Sequence, residues 1–127
     1  MRKGTLTVIR AFEHGVSAHP SRAIWTDGTS IYSYDTCLLT GDPVTGEFIL
    51  NRSSYTNTTS QHQTALAVYF RPAVVLHGLR WGVRPDALKV LAAIPATQLV
   101  PETHPDYVQI IRDDGSFRFP YGVSNAE

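Results

Sequence analysis

One histidine is surrounded by hydroxyl and amide side chains in the middle of the sequence. His62 follows Thr58, Thr59 and Ser60 and precedes Gln63. An imidazole near a helix start can act as a general base, or it can contact an anion attracted by the free backbone N–H groups. An uncharacterised hydrolase or nuclease centred on His62 is therefore one hypothesis. The alternative, which we prefer, is that His62 hydrogen-bonds a strand and fixes the helix to the sheet.

A second group of residues suits recognition rather than reaction. Its aromatic members are of the kind that stack on bases or sugars, and its arginines are of the kind that contact phosphates. The group consists of Arg22, Trp25, Tyr32, Tyr34, Arg52 and Tyr55. The alternative is that these rings form one face of a sheet beneath a helix. Trp81, between Gly78 and Gly82, is either an interface anchor or a plug in the core.

The sequence contains no known motif for covalent, metal or cofactor chemistry. Cys37 is the only cysteine, which excludes an intrachain disulfide and a thiolate metal cluster. A buried, inert thiol is the default for it, since a cysteine nucleophile needs a lowered pKa and a nearby base such as His62. The five histidines lack metal-ligand spacing, and phosphate-binding and dinucleotide-binding loops are absent. We therefore expect no catalytic residue, no metal and no cofactor.

Composition limits the class of protein. The chain has 127 residues, of which 43% are hydrophobic and 17% charged, so it can form a core and is not disordered. Eleven basic and eleven acidic residues cancel, which argues against a strongly basic nucleic-acid binder. The sequence has neither a long apolar run nor a signal-peptide core, so we expect a cytoplasmic protein without membrane segments.

Local patterns predict the elements that position these side chains. Alternation and β-branched residues over 5–12 indicate a first strand. Asp27-Gly28 suits a two-residue hairpin turn, which would place Ile24 opposite Ile31 and put Trp25, Tyr32 and Tyr34 on the other face. A second hairpin is predicted between 36–40 and 47–51, around a loop rich in turn-forming residues.

The second half of the chain contains two predicted helices and another hairpin. Ser60 and Gln63 fit a capping box, and the helix that they start should end near Arg71, before Pro72. Residues 73–76 are predicted as either a strand or a helix continuation, since the periodicity of this short apolar run fits both. A second helix over 85–93, a connector over 95–106 and a hairpin of 107–112 with 116–119 complete the pattern. The predictions give one α+β domain over 1–127: an antiparallel β-meander with a helix packed on it, then a second helix and a C-terminal hairpin.

Three pieces of sequence resemble a small domain found in tailed phages, especially phages of actinobacteria. They are Ile31-Tyr32-Ser33-Tyr34-Asp35-Thr36, Asn51-Arg52-Ser53-Ser54-Tyr55 and Thr58-Thr59-Ser60-Gln61-His62-Gln63. The resemblance covers about residues 22–70 and implies a phage origin and a β-meander followed by one helix. It implies no activity. Residues 73–127 lie outside it and form an extension.

These observations favour a small, non-enzymatic phage accessory protein that binds a host or phage macromolecule. There are two alternatives: a protein that binds nucleic acid through an aromatic sheet face, and an uncharacterised hydrolase or nuclease centred on His62. A protein is the expected partner, nucleic acid is the alternative partner, and a homodimer through an edge strand is left open. The candidate binding residues are Tyr32, Tyr34, Arg52, Tyr55, His62 and Trp81.

Overall fold

The structure is a computed structural model. It describes residues 3–42, 45–94, 100–101, 107–112 and 115–120. Its first element is helix α1 (Lys3–Glu13), so the strand predicted for 5–12 is wrong. The buried residues Thr5, Val8, Ile9 and Phe12 have the spacing of one helix face, while Arg10 is exposed. The segment is rich in β-branched residues, but burial of this stripe outweighs their preference for strands.

Eight strands of the described chain form one sheet with the order β1-β2-β3-β4-β5-β7-β8-β6. They are β1 (Trp25–Thr26), β2 (Ser30–Ser33), β3 (Thr36–Asp42), β4 (Glu47–Asn51), β5 (Val74–His77), β6 (Val100–Pro101), β7 (Tyr107–Arg112) and β8 (Gly115–Pro120). The first four follow one another as a meander, as predicted. All neighbours are antiparallel except β4 and β5, which are parallel and connected through helix α2 (Asn57–Phe70). The fold is therefore mixed α+β, as expected.

Two hydrophobic clusters lie on the two faces of the sheet. In the first, α1 and α2 contribute Phe12 and Leu66, which pack with Ile31 and Leu50. The second is formed with helix α3 (Pro85–Ala92) and contains Leu88. The strands change cluster at successive positions, as the side-chain alternation of a strand requires, except at Leu38 and Leu39, where the register of β2 and β3 shifts. The loops before α2 and before α3 follow the C-terminal ends of the neighbouring parallel strands β4 and β5.

The first hairpin has a wider loop than predicted. Trp25 pairs with Tyr32 and Thr26 with Ile31, so the predicted pairing of Ile24 with Ile31 is wrong. Asp27 Oδ1 accepts hydrogen bonds from the backbone N–H groups of Thr29 and Ser30, both at 2.9 Å. These bonds satisfy donors within the loop and close it as an Asx-type turn instead of a two-residue turn. The face assignment still holds for Ile24 and Ile31, which share the first cluster.

The N-cap of helix α2 lies four residues before the predicted cap. Thr56 is the N-cap, and its Oγ1 accepts from the backbone N–H of Thr59 at 3.2 Å, so the capping box of Ser60 and Gln63 is wrong. Gln63 instead donates to two backbone carbonyls outside the helix. The helix ends before Arg71, as expected next to Pro72. Arg71 itself has a left-handed φ of 49°.

The later elements match the predictions more closely. Residues 74–77 form strand β5, so the strand is correct and the helix continuation is wrong. Helix α3 and the hairpin of β7 with β8 occur where they were predicted. The connector over 95–106 contains the short strand β6, and its remaining residues lie outside the described part of the chain, as does the tail after Pro120.

Candidate functional site

Three aromatic side chains from different loops meet on the surface, and we call them the aromatic ridge: Tyr34, Tyr55 and Trp81. The rings of Tyr55 and Trp81 lie 4.3 Å apart between centroids and are inclined by 34°. Tyr34 and Trp81 are 6.1 Å apart and nearly perpendicular. Tyr34 and Trp81 are each 45% exposed. An exposed Trp flanked by two Tyr rings has the composition of a binding hot spot.

The turn between β2 and β3 holds Tyr34 in an unusual backbone conformation. Its φ is 55°, in the left-handed region that residues with a side chain rarely occupy. The Tyr34 backbone N–H donates to the Arg22 carbonyl at 2.7 Å, and its carbonyl accepts from Trp25 Nε1 at 2.8 Å. Both backbone groups of Tyr34 are therefore fixed, and the surrounding structure maintains a conformation that costs energy.

The loop that carries Trp81 is held by hydrogen bonds on both sides of the tryptophan, to the loop after β4 and to strand β3. The backbone N–H of Leu79 donates to Ser53 Oγ at 2.8 Å, and that of Gly82 donates to Thr36 Oγ1 at 2.7 Å. Gly82 has a φ of 85°, which glycine adopts without strain. Trp81 therefore projects from a fixed loop rather than from a free one.

A hydrogen-bond network supports Tyr55 from below. Its hydroxyl accepts from Asn51 Nδ2 at 2.9 Å and donates to the Arg80 carbonyl at 3.1 Å. Asn51 is buried and also donates to the Cys37 carbonyl, and Gln63 Nε2 donates to the Asn51 carbonyl at 2.7 Å. The network therefore links the ridge to β3, β4 and α2. The same network gives Gln63 a structural role.

A concave region of about 580 Å³ adjoins the ridge at Tyr34, and we call it the arginine pocket. It is lined by His19, Arg22, Trp25, Tyr34, Asp35 and Arg84. Trp25 is sandwiched in this region: the His19 ring lies 4.3 Å from it and the Tyr32 ring 4.1 Å, the latter nearly parallel. The Arg84 guanidinium carbon lies 5.6 Å from the centre of the Tyr32 ring.

Tyr32, a predicted binding residue, does not belong to the exposed surface. It is 1% exposed, Trp25 stacks on its ring, and its hydroxyl donates to Asp27 Oδ2 at 2.8 Å. Burial and the bond to the carboxylate raise the pKa of Tyr32. Its role is to support Trp25 from within the second cluster.

His62 is also removed from the candidate surface by burial. It is 3% exposed, and its Nδ1 lies 3.0 Å from Oγ1 of Thr5, which is 1% exposed. His62 therefore joins α2 to α1, and the prediction that it bonds a strand is not met by this contact. A hydroxyl beside an imidazole resembles a nucleophile with its base, but the burial of both residues favours a structural role.

Arg52 remains at the periphery of the site. It is half-buried, and its Nη2 donates to Thr64 Oγ1 at 3.3 Å. A polar concavity of about 540 Å³ contains Arg52 and Tyr55 together with His77. Arg52 thus flanks the ridge on the side of Tyr55, away from the arginine pocket.

Cys37 is poorly placed to act as a nucleophile in this fold. The side chain is fully buried, and burial raises the pKa of its thiol to about 12. A raised pKa disfavours the thiolate that a nucleophile requires. The predicted burial of the thiol is confirmed.

Residues 19, 35 and 84 are the part of the site that sequence reasoning missed. His19 lies in a loop and Arg84 is the N-cap of α3, so the folded structure alone brings them beside Tyr34, whereas Asp35 is its neighbour in the chain. A weak signal was present in Arg84, since tryptophan and arginine are both enriched at interfaces and Arg84 follows Trp81 closely.

A groove of about 730 Å³ along α2 is a competing surface. It is lined by Thr5, Ser60, Gln61, His62, Thr64, Ala65, Val68 and Tyr69, of which Val68 is 73% and Tyr69 44% exposed. Tyr69 donates to Glu13 Oε1 at 3.0 Å. Tyr69 lies in the last turn of α2, about 18 Å along the helix axis from its first residue, Asn57. The groove has a single exposed ring, in contrast to the ridge, and although His62 lines it, only 3% of that residue is exposed.

Metal-ligating clusters and membrane-spanning helices bear on the class of site. The described residues contain no group of three or more His, Cys, Asp and Glu side chains placed to hold a metal ion. No helix in the same part of the chain is both long and apolar enough to cross a bilayer. Comparison of the chain with protein-family models, curated proteins and solved structures gives no match.

Proposed function

We propose that this protein is a non-enzymatic binding protein that captures a protein partner through the aromatic ridge of Tyr34, Tyr55 and Trp81. The observation that carries the proposal is that two rings are 45% exposed although the backbone beneath each is fixed by hydrogen bonds. Aromatic anchors held rigidly lose little conformational entropy on binding, so more of their contact energy appears as affinity.

The resemblance to the phage domain suggests which partner to expect. A host or phage protein fits it, and the cytoplasm of the host cell is the expected location. The near-complete burial of His62 and the raised pKa of Cys37 give catalysis no support at these two residues. A recognition surface is therefore the function that the geometry favours.

The proposal is tested by capture experiments with matched surface variants. Wild-type protein, Tyr34→Ala, Trp81→Ala and Tyr69→Ala are immobilised and exposed to lysate of an actinobacterial host, and bound protein and nucleic acid are quantified. Tyr69 is the control, because its exposure of 44% is close to the 45% of Tyr34 and Trp81 while it lies on the α2 groove. We expect Tyr34→Ala and Trp81→Ala to reduce capture at least about tenfold and Tyr69→Ala to retain it.

Three outcomes would contradict the proposal. Loss of capture in Tyr69→Ala alone would move the binding surface to α2. Nuclease-sensitive nucleic acid in the wild-type eluate, with no enriched protein, would favour the nucleic-acid alternative. Equal capture by all four proteins would show that the ridge is not the binding surface, provided that circular dichroism confirms their folding.

A further inference from the structure

We infer that the arginine pocket binds a carboxylate of the partner, so that the partner segment carries an acidic residue beside an apolar or aromatic one. The inference rests on the proposed function and adds the chemistry of the partner to it. It starts from the two arginines of the pocket, Arg22 and Arg84. Both side chains are exposed, and neither forms an ion pair within the described part of the chain.

The charge of the pocket matches a monoanion. Two guanidinium groups and the Asp35 carboxylate leave one net positive charge, with His19 counted as neutral. Asp35 Oδ1 accepts a hydrogen bond from Thr36 Oγ1 at 3.3 Å, while the residue is exposed and also lines the pocket. A guanidinium offers two parallel N–H donors to one carboxylate, which makes arginine suited to this ligand.

The pocket is preorganised on the side of Arg22. The Arg22 carbonyl accepts from the Tyr34 backbone N–H, and the Tyr34 carbonyl accepts from Trp25 Nε1. On the opposite side, Arg84 is placed at the start of α3 and lies over the ring of Tyr32. The backbone of Arg22 and the helix that carries Arg84 are therefore fixed before any ligand arrives.

The position of the pocket next to the ridge predicts which residues of the partner lie side by side. Tyr34 belongs both to the pocket and to the ridge, so a carboxylate between the arginines lies next to a side chain packed on Trp81. A nucleic-acid strand would need a row of free cations along its phosphates. Arg52, on the far side of Tyr55, is already bonded to Thr64, and this favours an acidic peptide over a strand.

The inference is tested with two matched peptides and one oligonucleotide. N-acetyl-Glu-Trp-amide, N-acetyl-Gln-Trp-amide and pentathymidylate are titrated into the ¹⁵N-labelled protein, and the arginine Nε–H and tryptophan indole signals are followed by NMR. We expect the Glu peptide to bind at least about tenfold more tightly than the Gln peptide and to shift the signals of Arg22 and Arg84. Arg22→Gln and Arg84→Gln should abolish this preference, whereas Lys89→Gln on α3 should keep it.

The outcomes separate the pocket from the ridge. If both peptides shift the Trp81 indole equally and neither shifts the arginines, the carboxylate pocket is refuted while the ridge stands. If neither peptide binds at millimolar concentration, the pocket inference is refuted, and the capture experiment decides the ridge. If pentathymidylate binds more tightly than the Glu peptide, the occupant is a nucleic-acid phosphate and the inference is wrong.

Discussion

Tyr34 combines two properties that rarely occur together. It is a large aromatic residue with nearly half of its surface exposed, and its φ of 55° is one that favours glycine. A glycine would relieve this conformation, so the tyrosine ring is retained at an energetic cost. Strain at an exposed position is a feature of binding sites, where a side chain serves function rather than stability.

Two substitutions of Tyr34 separate strain from recognition. Tyr34→Gly and Tyr34→Ala both remove the ring, so both should lose partner capture. Because only alanine keeps the Cβ that disfavours positive φ, the glycine variant should have the larger free energy of unfolding, by about 1 kcal/mol. Urea denaturation measures the difference. An alanine variant as stable as the glycine variant would show that residue 34 does not hold this conformation in solution.

Asp27 makes the first hairpin sensitive to acid. Partial burial pushes its pKa upward, but hydrogen bonds from Thr29, Tyr32 and Ser30 outweigh this effect, so the pKa lies below its ordinary value of 3.8. A carboxylate whose pKa is lower in the folded than in the unfolded state stabilises the fold above its unfolded pKa. This stabilisation is lost as the pH falls through the folded pKa.

Asp27→Asn tests this linkage, because asparagine keeps an acceptor oxygen but does not titrate. Wild-type protein should be the more stable of the two at pH 6, and its advantage should shrink as the pH falls below about 4. The free energy of unfolding of both proteins, measured by urea titration from pH 6 to pH 3, gives the comparison. A constant difference over this range would mean that Asp27 has the same pKa in both states.

At the scale of elements, helix starts depend on contacts that several residues can offer. Thr56, Thr59 and Ser60 all carry hydroxyls, so the chain has more than one candidate cap. The sequence pattern favours Ser60 because a glutamine follows three residues later. The fold uses Thr56, because Gln63 is drawn instead to the carbonyls of Asn51 and Ser53.

Alanine substitutions at the two hydroxyl positions discriminate these caps. Thr56→Ala should lower the free energy of unfolding by about 1 kcal/mol, because it removes the acceptor of the Thr59 N–H. Ser60→Ala should be neutral or stabilise slightly, since residue 60 is exposed within the helix and alanine is the better helix former. If Ser60→Ala had the lower urea midpoint and Thr56→Ala the higher one, Ser60 and not Thr56 would be the cap of the helix.

At the scale of the whole molecule, the shared sheet ties the two clusters together. Leu66 lies in the first and Leu88 in the second, and both are fully buried. Leu66→Ala and Leu88→Ala should each cost about 2–5 kcal/mol. Because side chains of the same strands pack into both clusters, tryptophan fluorescence and circular dichroism should report one unfolding transition in each variant. Two separate transitions would mean that the faces unfold independently.

The extent to which the sequence predicts this architecture depends on the range of the interactions. The hairpins of β3 with β4 and of β7 with β8 carry their own turn residues and were predicted. Helix α1 was not, because Val8 and Phe12 fit both a strand face and a helix face. The parallel contact of β4 with β5, and the placement of Arg22 and Arg84 in the lining of one pocket, depend on tertiary structure that no local pattern encodes.

The outermost strands of the sheet, β1 and β6, are only two residues long, and β6 ends in Pro101, which has no N–H to offer. Long, flat outer strands are the usual seeds of fibrils, because they present a continuous row of unpaired backbone groups. Among the described residues, the outermost strand on each side of the sheet therefore presents only a two-residue row. An edge-strand dimer through β1 or β6 would have only such a short strand on which to form, which makes a stable dimer of this kind an unfavourable expectation.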